Sequence, residues 1–367
     1  MLKKYISLFA ITLFFMLPWQ NSSAQVNNIG EFVRAGTDDA SLLLENYLRP
    51  YTSGFGANLN TGWNNSARPY RTLGFDIRIS GAMAFVPASD EVFDVASLEP
   101  QFQELELFSS SGITPTIAGD DVTGVRVGRT FENPQTNQTE ELFSFNLPRG
   151  TGFPLVPSPM IQGTIGIPND TDISLRIMPS VSPPDVNGQV SLFGIGAKHG
   201  LNQWLPGGTV LPIDLSVQIG YTRFNFDIDA NVQPESGGDI YNQYENQPEI
   251  WDGQQIELQS SGYTANLLVG RNLPILSVFA GVGFQSSTTE IATRGAYPLT
   301  VPNTNMSQSE SKAIERIDDP ISISSSGDNS IHALAGFRVR LGFIALSGSY
   351  TISEYPVANV GIGISMR

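Results

Sequence analysis

The clearest pattern in the chain is an alternation of residue types over 75–85, in which large apolar side chains or glycine occupy every second position. Since successive side chains of a strand point to opposite faces, this pattern predicts a strand with one apolar face. Its eleven residues match a tilted membrane-spanning strand, which needs about 9–11. The two series are Phe75, Ile77, Ile79, Gly81, Met83 and Phe85, and Asp76, Arg78, Ser80, Ala82 and Ala84.

The same period recurs along the chain. It covers residues 54–63, 173–177, 193–198, 213–222, 263–270, 276–285, 331–341 and 361–366. The polar series in these segments is rich in Gly, Ser, Thr, Asn and Gln, and only 15% of all residues are charged. A solvated sheet carries many charges, whereas a barrel interior can be merely polar. The sequence therefore predicts an all-β fold, a transmembrane antiparallel β-barrel.

Six aromatic residues stand near the ends of these predicted strands. Girdles at the two membrane interfaces of a barrel, or ordinary sheet packing, would place them there. They are Trp63, Tyr70, Phe85, Tyr221, Phe284 and Tyr350.

The first residues fix the compartment. A basic start at Lys3 and Lys4, an apolar run over 5–17 and small residues before Gln25 are the three parts of a secretory signal peptide. An N-terminal membrane anchor is the alternative, but the run is shorter than the about 20 residues that span a bilayer. We expect residues 1–24 to be cleaved and the protein to reach the outer membrane.

Cleavage would leave 343 of the 367 residues and change the net charge from −15 to −17. At about 10 residues per strand plus connections, that length predicts about 12–14 strands. The acid excess argues against nucleic-acid binding. The absence of cysteine excludes disulfide scaffolds, thiolate metal sites and lipoprotein anchors.

A short helix is predicted near the mature N-terminus. Thr37 or Asp38 would cap it, Leu43 and Tyr47 lie on its apolar face, and Pro50 would end it. The helix either packs on an apolar surface or acts as a hatch in a barrel end. The predicted organisation is thus a signal peptide (1–24), a helical hatch segment (25–53) and the barrel (54–367).

Charges on the polar series would line the lumen, where charge tunes permeation. Because both signs occur, they could pair across a filled lumen, and we expect a plugged or narrow barrel rather than a wide porin. The predicted lumen and gate residues are Leu43, Tyr47, Asp76, Arg78, Arg176, Lys198, Arg338 and Arg340.

Residues 142–161 combine apolar side chains with four prolines, which argue against a central strand or a helix. Such a segment must bury itself or meet an apolar partner. It could line a ligand pocket in the barrel mouth, form a loop core or dock another protein. The candidate ligand-binding residues are Phe143, Phe145, Phe153 and Leu155.

The acids concentrate in residues 86–121 and 227–256, which we interpret as long barrel loops. They are solvated loop charge or bind divalent cations beside lipopolysaccharide. Neither His199 nor His332 lies near a nucleophile elbow, and no calcium loop or phosphate-binding glycine motif is present. We expect no enzymatic activity, no cofactor and no metal site.

Several stretches resemble an uncharacterised family of Bacteroidetes outer-membrane proteins, a domain of unknown function. The matching segments are 48–51, 54–56, 60–64, 73–76, 84–87, 194–199, 203–206, 211–216 and 220–222. That family is distantly similar to fatty-acid-transporter-like barrels, which have an N-terminal hatch and carry small hydrophobic molecules. The resemblance implies the same architecture here. The transporter family's own N-terminal motif does not occur in this chain.

The expected function is therefore passive uptake of a small hydrophobic molecule by an outer-membrane barrel. One alternative is a structural barrel that anchors a secretion or surface complex. Another is a soluble secreted β-sandwich that binds a ligand. The expected partners are outer-membrane lipids and lipopolysaccharide, with a small hydrophobic ligand as a further candidate and no nucleic acid.

Overall fold

A computed structural model describes most of the chain. The described residues are 32, 37–133, 138–182, 187–208, 211–237, 239–305, 310–327 and 330–366. The predicted signal peptide, residues 1–24, lies outside them.

The described elements are two α-helices, single turns of 3-10 helix and nineteen strands. The helices are α1 (Thr37–Asn60) and α2 (Val95–Leu98), and the 3-10 turns are Ala88–Asp90, Glu99–Gln101, Asn202–Trp204 and Pro248–Trp251. The strands are β1 (Phe75–Phe85), β2 (Val92–Asp94), β3 (Glu106–Leu107), β4 (Ile113–Pro115), β5 (Arg126–Glu132), β6 (Thr139–Asn146), β7 (Leu155–Ile167), β8 (Thr171–Val181), β9 (Gly188–Gly200), β10 (Asp214–Asp229), β11 (Ile240–Tyr241), β12 (Gln255–Asn272), β13 (Leu276–Arg294), β14 (Ala296–Pro302), β15 (Lys312–Asp318), β16 (Ser322–Ser326), β17 (Ser330–Leu341), β18 (Ile344–Ile352) and β19 (Val357–Met366).

Ten strands close into an antiparallel barrel, in the order β1-β7-β8-β9-β10-β12-β13-β17-β18-β19. The ring closes because β1 pairs with β19 from Phe75 opposite Met366 to Ala84 opposite Val357. A closed ring has no free edges, so the β-sandwich alternative is wrong. The predicted strand over 75–85 is confirmed, and its even-numbered residues are the buried ones.

The expected count of about 12–14 strands is wrong. Several strands are longer than a bilayer requires: β10 has 16 residues, β12 has 18 and β13 has 19. In addition, the described residues of 86–154 and 295–326 include seven strands that belong to small sheets outside the barrel. The length estimate counted all of these residues towards further spanning strands.

The predicted end of the helix at Pro50 and the predicted strand over 54–63 are also wrong. Helix α1 continues through Pro50 to Asn60, so the predicted boundary at residue 53/54 falls inside it. The glycines of this segment lie where the helix packs closely on the barrel wall: an ideal Cβ on Gly54 would lie 2.8 Å from Val156 Cγ2. Neither described helix combines the length and the apolar character that a bilayer span requires.

The proline-rich segment 142–161 is not a loop throughout. It contains most of β6 and the first half of β7, with Pro157 and Pro159 inside β7. Both prolines lie where β7 pairs with β1 alone, because its pairing with β8 begins at Gln162. Because β8 does not pair with β7 at these positions, the prolines, which lack an N–H, remove no hydrogen bond between the two strands.

The described residues of three long connections, 86–154, 230–254 and 295–326, form what we call the cap. Its small sheets are β2-β4, β3-β5-β6 and β11-β15-β14. A buried apolar cluster joins the cap to the first half of α1 and to the ends of β12 and β13. Its members include Leu43, Leu44, Tyr47, Val95, Leu105, Val127, Ile256, Ile291 and Ile321.

The outside of the barrel is apolar. Each barrel strand has at least one large apolar side chain with an exposed fraction of 42% or more. We call these outward-facing side chains together the belt. Examples, one from each strand, are Ile77, Ile165, Leu175, Ile195, Ile219, Leu267, Val282, Phe337, Leu346 and Ile362.

Candidate functional site

The barrel interior is occupied by the chain's own N-terminal part. We call residues 37–74 the plug; they comprise helix α1 and an extended lumen segment, residues 61–74. The helix enters from the cap, where the Asp39 carboxylate accepts backbone N–H bonds from Gln103, Glu104 and Leu105 at 2.8–2.9 Å. The lumen segment then leads to the start of β1 at the opposite end.

Trp63 fills the middle of the lumen and is 6% exposed. Its indole lies against Gly196 and Gly220, which are opposite each other on β9 and β10. An ideal Cβ would lie 2.7 Å from the ring on Gly196 and 2.5 Å from it on Gly220. Only glycine leaves room for the ring at these two wall positions.

Arg176 points inward from β8 and is fully buried. Its guanidinium donates to the carbonyl oxygens of Leu59 at 2.8 Å and Thr61 at 2.5 Å, and to Gln162 Oε1 at 3.1 Å. The same group stacks 3.7 Å from the centroid of the Trp63 ring, a cation–π arrangement. A single wall residue thus binds the end of α1 and the start of the lumen segment.

Lys198 and Asp172 form a second anchor below it. Their side chains are 7% and 1% exposed, and Nζ lies 3.1 Å from Oδ2. Lys198 also donates to the Ser66 carbonyl at 3.2 Å, and Asp172 Oδ1 accepts from the Tyr70 N–H at 2.7 Å. Both members of the ion pair therefore bind the lumen segment.

Arg78 and Arg338 complete the contacts with the wall. Arg78 donates to the Gly62 carbonyl at 2.8 Å, and Arg338 donates to the Tyr70 hydroxyl at 2.8 Å. Asp76 is 1% exposed, and neither of its carboxylate oxygens has a hydrogen-bond partner in the described part of the chain. In the β1 register it lies opposite Thr164 and Ser365.

Arg340 differs from the other predicted lumen charges. It is only half-buried, and its guanidinium donates to the Pro274 carbonyl at 3.2 Å in the turn before β13. It lies at the barrel end because β17 finishes one residue later, at Leu341. The structure therefore does not bring it together with Arg176 and Lys198.

The predicted gate residues Leu43 and Tyr47 lie in the apolar cluster beneath the cap, 0% and 5% exposed. The Tyr47 hydroxyl donates to the Arg149 carbonyl at 2.8 Å. Burial raises the pKa of Tyr47, so the hydroxyl stays a donor at neutral pH. Both residues hold the plug to the cap.

The four predicted ligand-binding residues do not form one pocket. Phe143 and Phe145 stack with centroids 6.4 Å apart and pack on the apolar cluster. Phe153 is half-buried, and its carbonyl accepts from the Tyr51 hydroxyl at 3.4 Å. Leu155 pairs with Phe85 on β1 and alternates with the buried, inward-facing Val156, so it faces out of the barrel.

Among the described residues, two small polar cavities lie beside the plug. One lies between the lumen segment and a wall that includes Arg78, Gln162 and Lys198. The other lies towards Asn266 and His332, where the amide oxygen is 2.7 Å from the imidazole Nε2. Both cavities flank Trp63, so the plug separates them.

Sequence reasoning missed Trp63, Tyr70 and Asp172. The aromatic pair was interpreted as part of interface girdles or as ordinary sheet packing, but Tyr70 is only 2% exposed and both residues lie inside the barrel. The Gly-rich inward series of β9 and β10 was the available signal, because glycine on a lumen wall leaves space for a large side chain. Asp172 would have been found by extending the alternation of 173–177 by one residue.

The described residues contain no cluster of three or more His, Asp or Glu that could hold a metal ion. His199 Nδ1 lies 2.8 Å from Thr171 Oγ1, and the Trp204 indole N–H donates to His199 Nε2 at 2.9 Å. These contacts join the connection after β9 to the start of β8.

Comparison with solved structures identifies outer-membrane proteins. Ail of Yersinia pestis is 9% identical, with 80% of this chain and 97% of Ail covered and a TM-score of 0.25. The translocator domain of NalP from Neisseria meningitidis is 10% identical, with 89% and 97% covered and a TM-score of 0.30. The protease OmpT from Escherichia coli is 8% identical, with 80% and 96% covered and a TM-score of 0.30. Similarity at this level carries no argument about function.

Comparison with protein families gives a match over residues 2–366, to the family described as "Family of unknown function (DUF6588)". No curated protein matches the chain. Because the family match covers nearly the whole sequence, the chain belongs to this family of unknown function, and its described strands form a closed ten-stranded antiparallel β-barrel.

Proposed function

We propose that this protein is an outer-membrane barrel, sealed by its own N-terminal segment, that anchors the cap at one face of the membrane. The observation that carries the proposal is the occupation of the lumen by the plug. Arg176 and Lys198 both bind backbone carbonyls of that segment. A lumen filled in this way supports a membrane anchor better than an open pore.

The belt supports the membrane location. In water, an apolar surface that surrounds the whole barrel would aggregate, whereas in a bilayer it contacts lipid chains. Outer-membrane lipids, including lipopolysaccharide, are the partners that we propose for this surface. The predicted signal peptide supplies the export route.

The cap supports the anchoring role. Its apolar cluster is continuous with the first half of α1 and the ends of β12 and β13, so the cap and the barrel share one core. Because β12 and β13 are longer than a bilayer requires, the ends that contact the cap lie above the membrane surface. The barrel thus positions a folded surface layer at a fixed height above the membrane.

Membrane fractionation tests the location and the closed barrel together. We expect the protein in the outer-membrane fraction, with faster migration on SDS-PAGE when the sample is left unboiled than after boiling. A soluble protein in the aqueous fraction would overturn the membrane location. Outer-membrane protein without a heat-dependent shift would contradict the closed barrel.

Passive uptake of small hydrophobic molecules is the second candidate. The apolar cluster around Leu43, Tyr47, Phe143 and Phe145 favours it, because an apolar solute could partition into this cluster above the barrel mouth. Passage beyond it requires the plug to move, since the wall below presents Arg78, Arg176 and Lys198.

Uptake of a fluorescent fatty acid into proteoliposomes separates the two candidates. Transport predicts that wild-type protein accelerates uptake and that deletion of residues 38–48 accelerates it further. Phe143→Ala combined with Phe145→Ala should then slow it, with Phe153→Ala as the matched control outside the aromatic stack. The anchoring role predicts the same uptake rate with wild-type protein as with empty liposomes, and a protein-dependent rate would favour transport.

A further inference from the structure

The two ends of the barrel carry very different connections. At one end, residues 168–170, 201–213, 273–275 and 342–343 link neighbouring strands, and both Phe75 and Met366 lie there. At the other end, the connections are the three segments of the cap and two short ones, residues 182–187 and 353–356. Outer-membrane barrels place short turns in the periplasm and long loops outside the cell. The cap end is therefore the extracellular end.

The plug runs from the cap end to the short-turn end without turning back. Asp39 binds cap backbone, Gly54 passes Val156 near the upper end of β7, and Trp63 lies in the middle of the lumen. At the bottom, the Leu73 N–H donates to the Gly166 carbonyl and the Gly166 N–H donates to the Gly74 carbonyl, both at 2.8 Å. This contact fixes the lower end of the plug beside the turn between β7 and β8.

We propose that the plug crosses the outer membrane inside the barrel with its N-terminal end outwards, so that the start of α1 lies on the cell-surface side together with Phe32, which packs in the apolar cluster beneath the cap. This inference rests on the proposed outer-membrane location. A strand that starts in the periplasm ordinarily has its preceding residues there as well. Here β1 starts at the short-turn end, yet residues 37–53 lie at the opposite end beneath the cap.

The proposal gives the barrel a further function, the display of its own N-terminus. During assembly the strands must close around a segment that already passes through the lumen, or the segment must thread afterwards. In either case the polar lining suits the cargo, because the lumen segment offers its backbone carbonyls to Arg78, Arg176 and Lys198.

Cysteine labelling tests the orientation directly, since the chain has no native cysteine. Asp38→Cys reports the exposed start of α1. Val122→Cys, 54% exposed, reports the cap. Pro206→Cys reports an exposed turn at the short-turn end. Each variant is treated with a membrane-impermeant maleimide on intact cells and again after the outer membrane is permeabilised, with denatured protein as the reference for full reaction.

We expect Asp38→Cys and Val122→Cys to react on intact cells and Pro206→Cys to react only after permeabilisation. Protection of Asp38→Cys on cells where Val122→Cys reacts would overturn the N-out plug. Reaction of Pro206→Cys alone on intact cells would overturn the surface orientation. Recovery of the protein in the aqueous fraction would instead reject the proposed membrane location, so the two failures are distinguishable.

Discussion

The two halves of the plug are held by different forces. Residues 37–53 are held mainly by an apolar cluster, in which Leu43 and Tyr47 pack against cap residues. The lumen segment, residues 61–74, is held by hydrogen bonds from buried charged side chains of the wall. Apolar burial is non-directional, whereas hydrogen bonds to charged groups fix geometry. The lower half therefore fixes the position of the plug, and the upper half connects it to the cap.

The largest effect is expected at the buried ion pair. Lys198→Met leaves the Asp172 carboxylate buried without its cation, and breaking such a pair costs about 3–5 kcal/mol. The temperature at which the folded band disappears from unboiled SDS-PAGE should fall steeply. Arg149→Met is the matched control, because its pair with Asp121 is 61% and 65% exposed and contributes about 0–1 kcal/mol. Equal effects of the two substitutions would remove the distinction between lumen and surface.

A smaller loss is expected in the upper half. Leu43 is fully buried, so Leu43→Ala should lower the free energy of unfolding in urea by about 3 kcal/mol through lost transfer energy and a cavity. Leu42→Ala, at a half-buried position of the same turn, should cost clearly less. If the two halves are independent, Leu43→Ala should leave unchanged the maleimide labelling of a cysteine placed in the lumen segment. If Leu43→Ala exposed the lumen, the two halves would not be independent.

A moderate effect is expected where Trp63 meets the wall. Gly220→Ala places a methyl group 2.5 Å from the indole, and overpacking of this kind costs about 1–3 kcal/mol. In a Trp63→Ala background the same substitution should cost much less, which a double-mutant cycle would measure. Gly163→Ala is the control, because nothing lies within 4 Å of its added Cβ. Additive effects of Gly220→Ala and Trp63→Ala would show that the ring does not occupy this site.

The smallest effect is expected at the contact between plug and cap. Asp39→Asn keeps one oxygen acceptor, which can serve the Glu104 and Leu105 N–H groups, but it removes the charge and turns an NH2 group towards the Gln103 N–H. We expect a loss of about 1–2 kcal/mol. Asp38→Asn, at an exposed neighbouring position, should have no measurable effect. Thermal melts of the two variants in detergent make the comparison. A larger loss for Asp38→Asn than for Asp39→Asn would show that Asp39 does not make the contact between plug and cap.

How far the sequence predicts this structure depends on the kind of pattern. The strand over 75–85 was predicted with its bounds and inward face, because alternation reports directly which side is buried. The alternation over 54–63 misled, because glycines let this helix pack closely on the wall, and their spacing of two has no counterpart in a helix of 3.6 residues per turn. Arg176 and Lys198 could be placed on the inner face, but their partners depend on barrel register and on the path of the plug. The local period of the sequence gives neither the register of the barrel nor the path of the plug.

The contact between Trp63 and the pair Gly196 and Gly220 illustrates the limit. It joins positions more than a hundred residues apart, so only the closed barrel brings them together. The strand count failed for a related reason, since a residue total does not separate spanning strands from the cap.

The most direct test of the central claim is the conductance of the purified full-length protein in planar bilayers. A sealed lumen predicts no steady open-pore current from the wild-type protein. Arg176→Met, which removes the contacts to Leu59 and Thr61, should produce transient openings, while Arg223→Met at an exposed position on β10 should remain silent. Large and steady open pores from the wild-type protein would contradict the account.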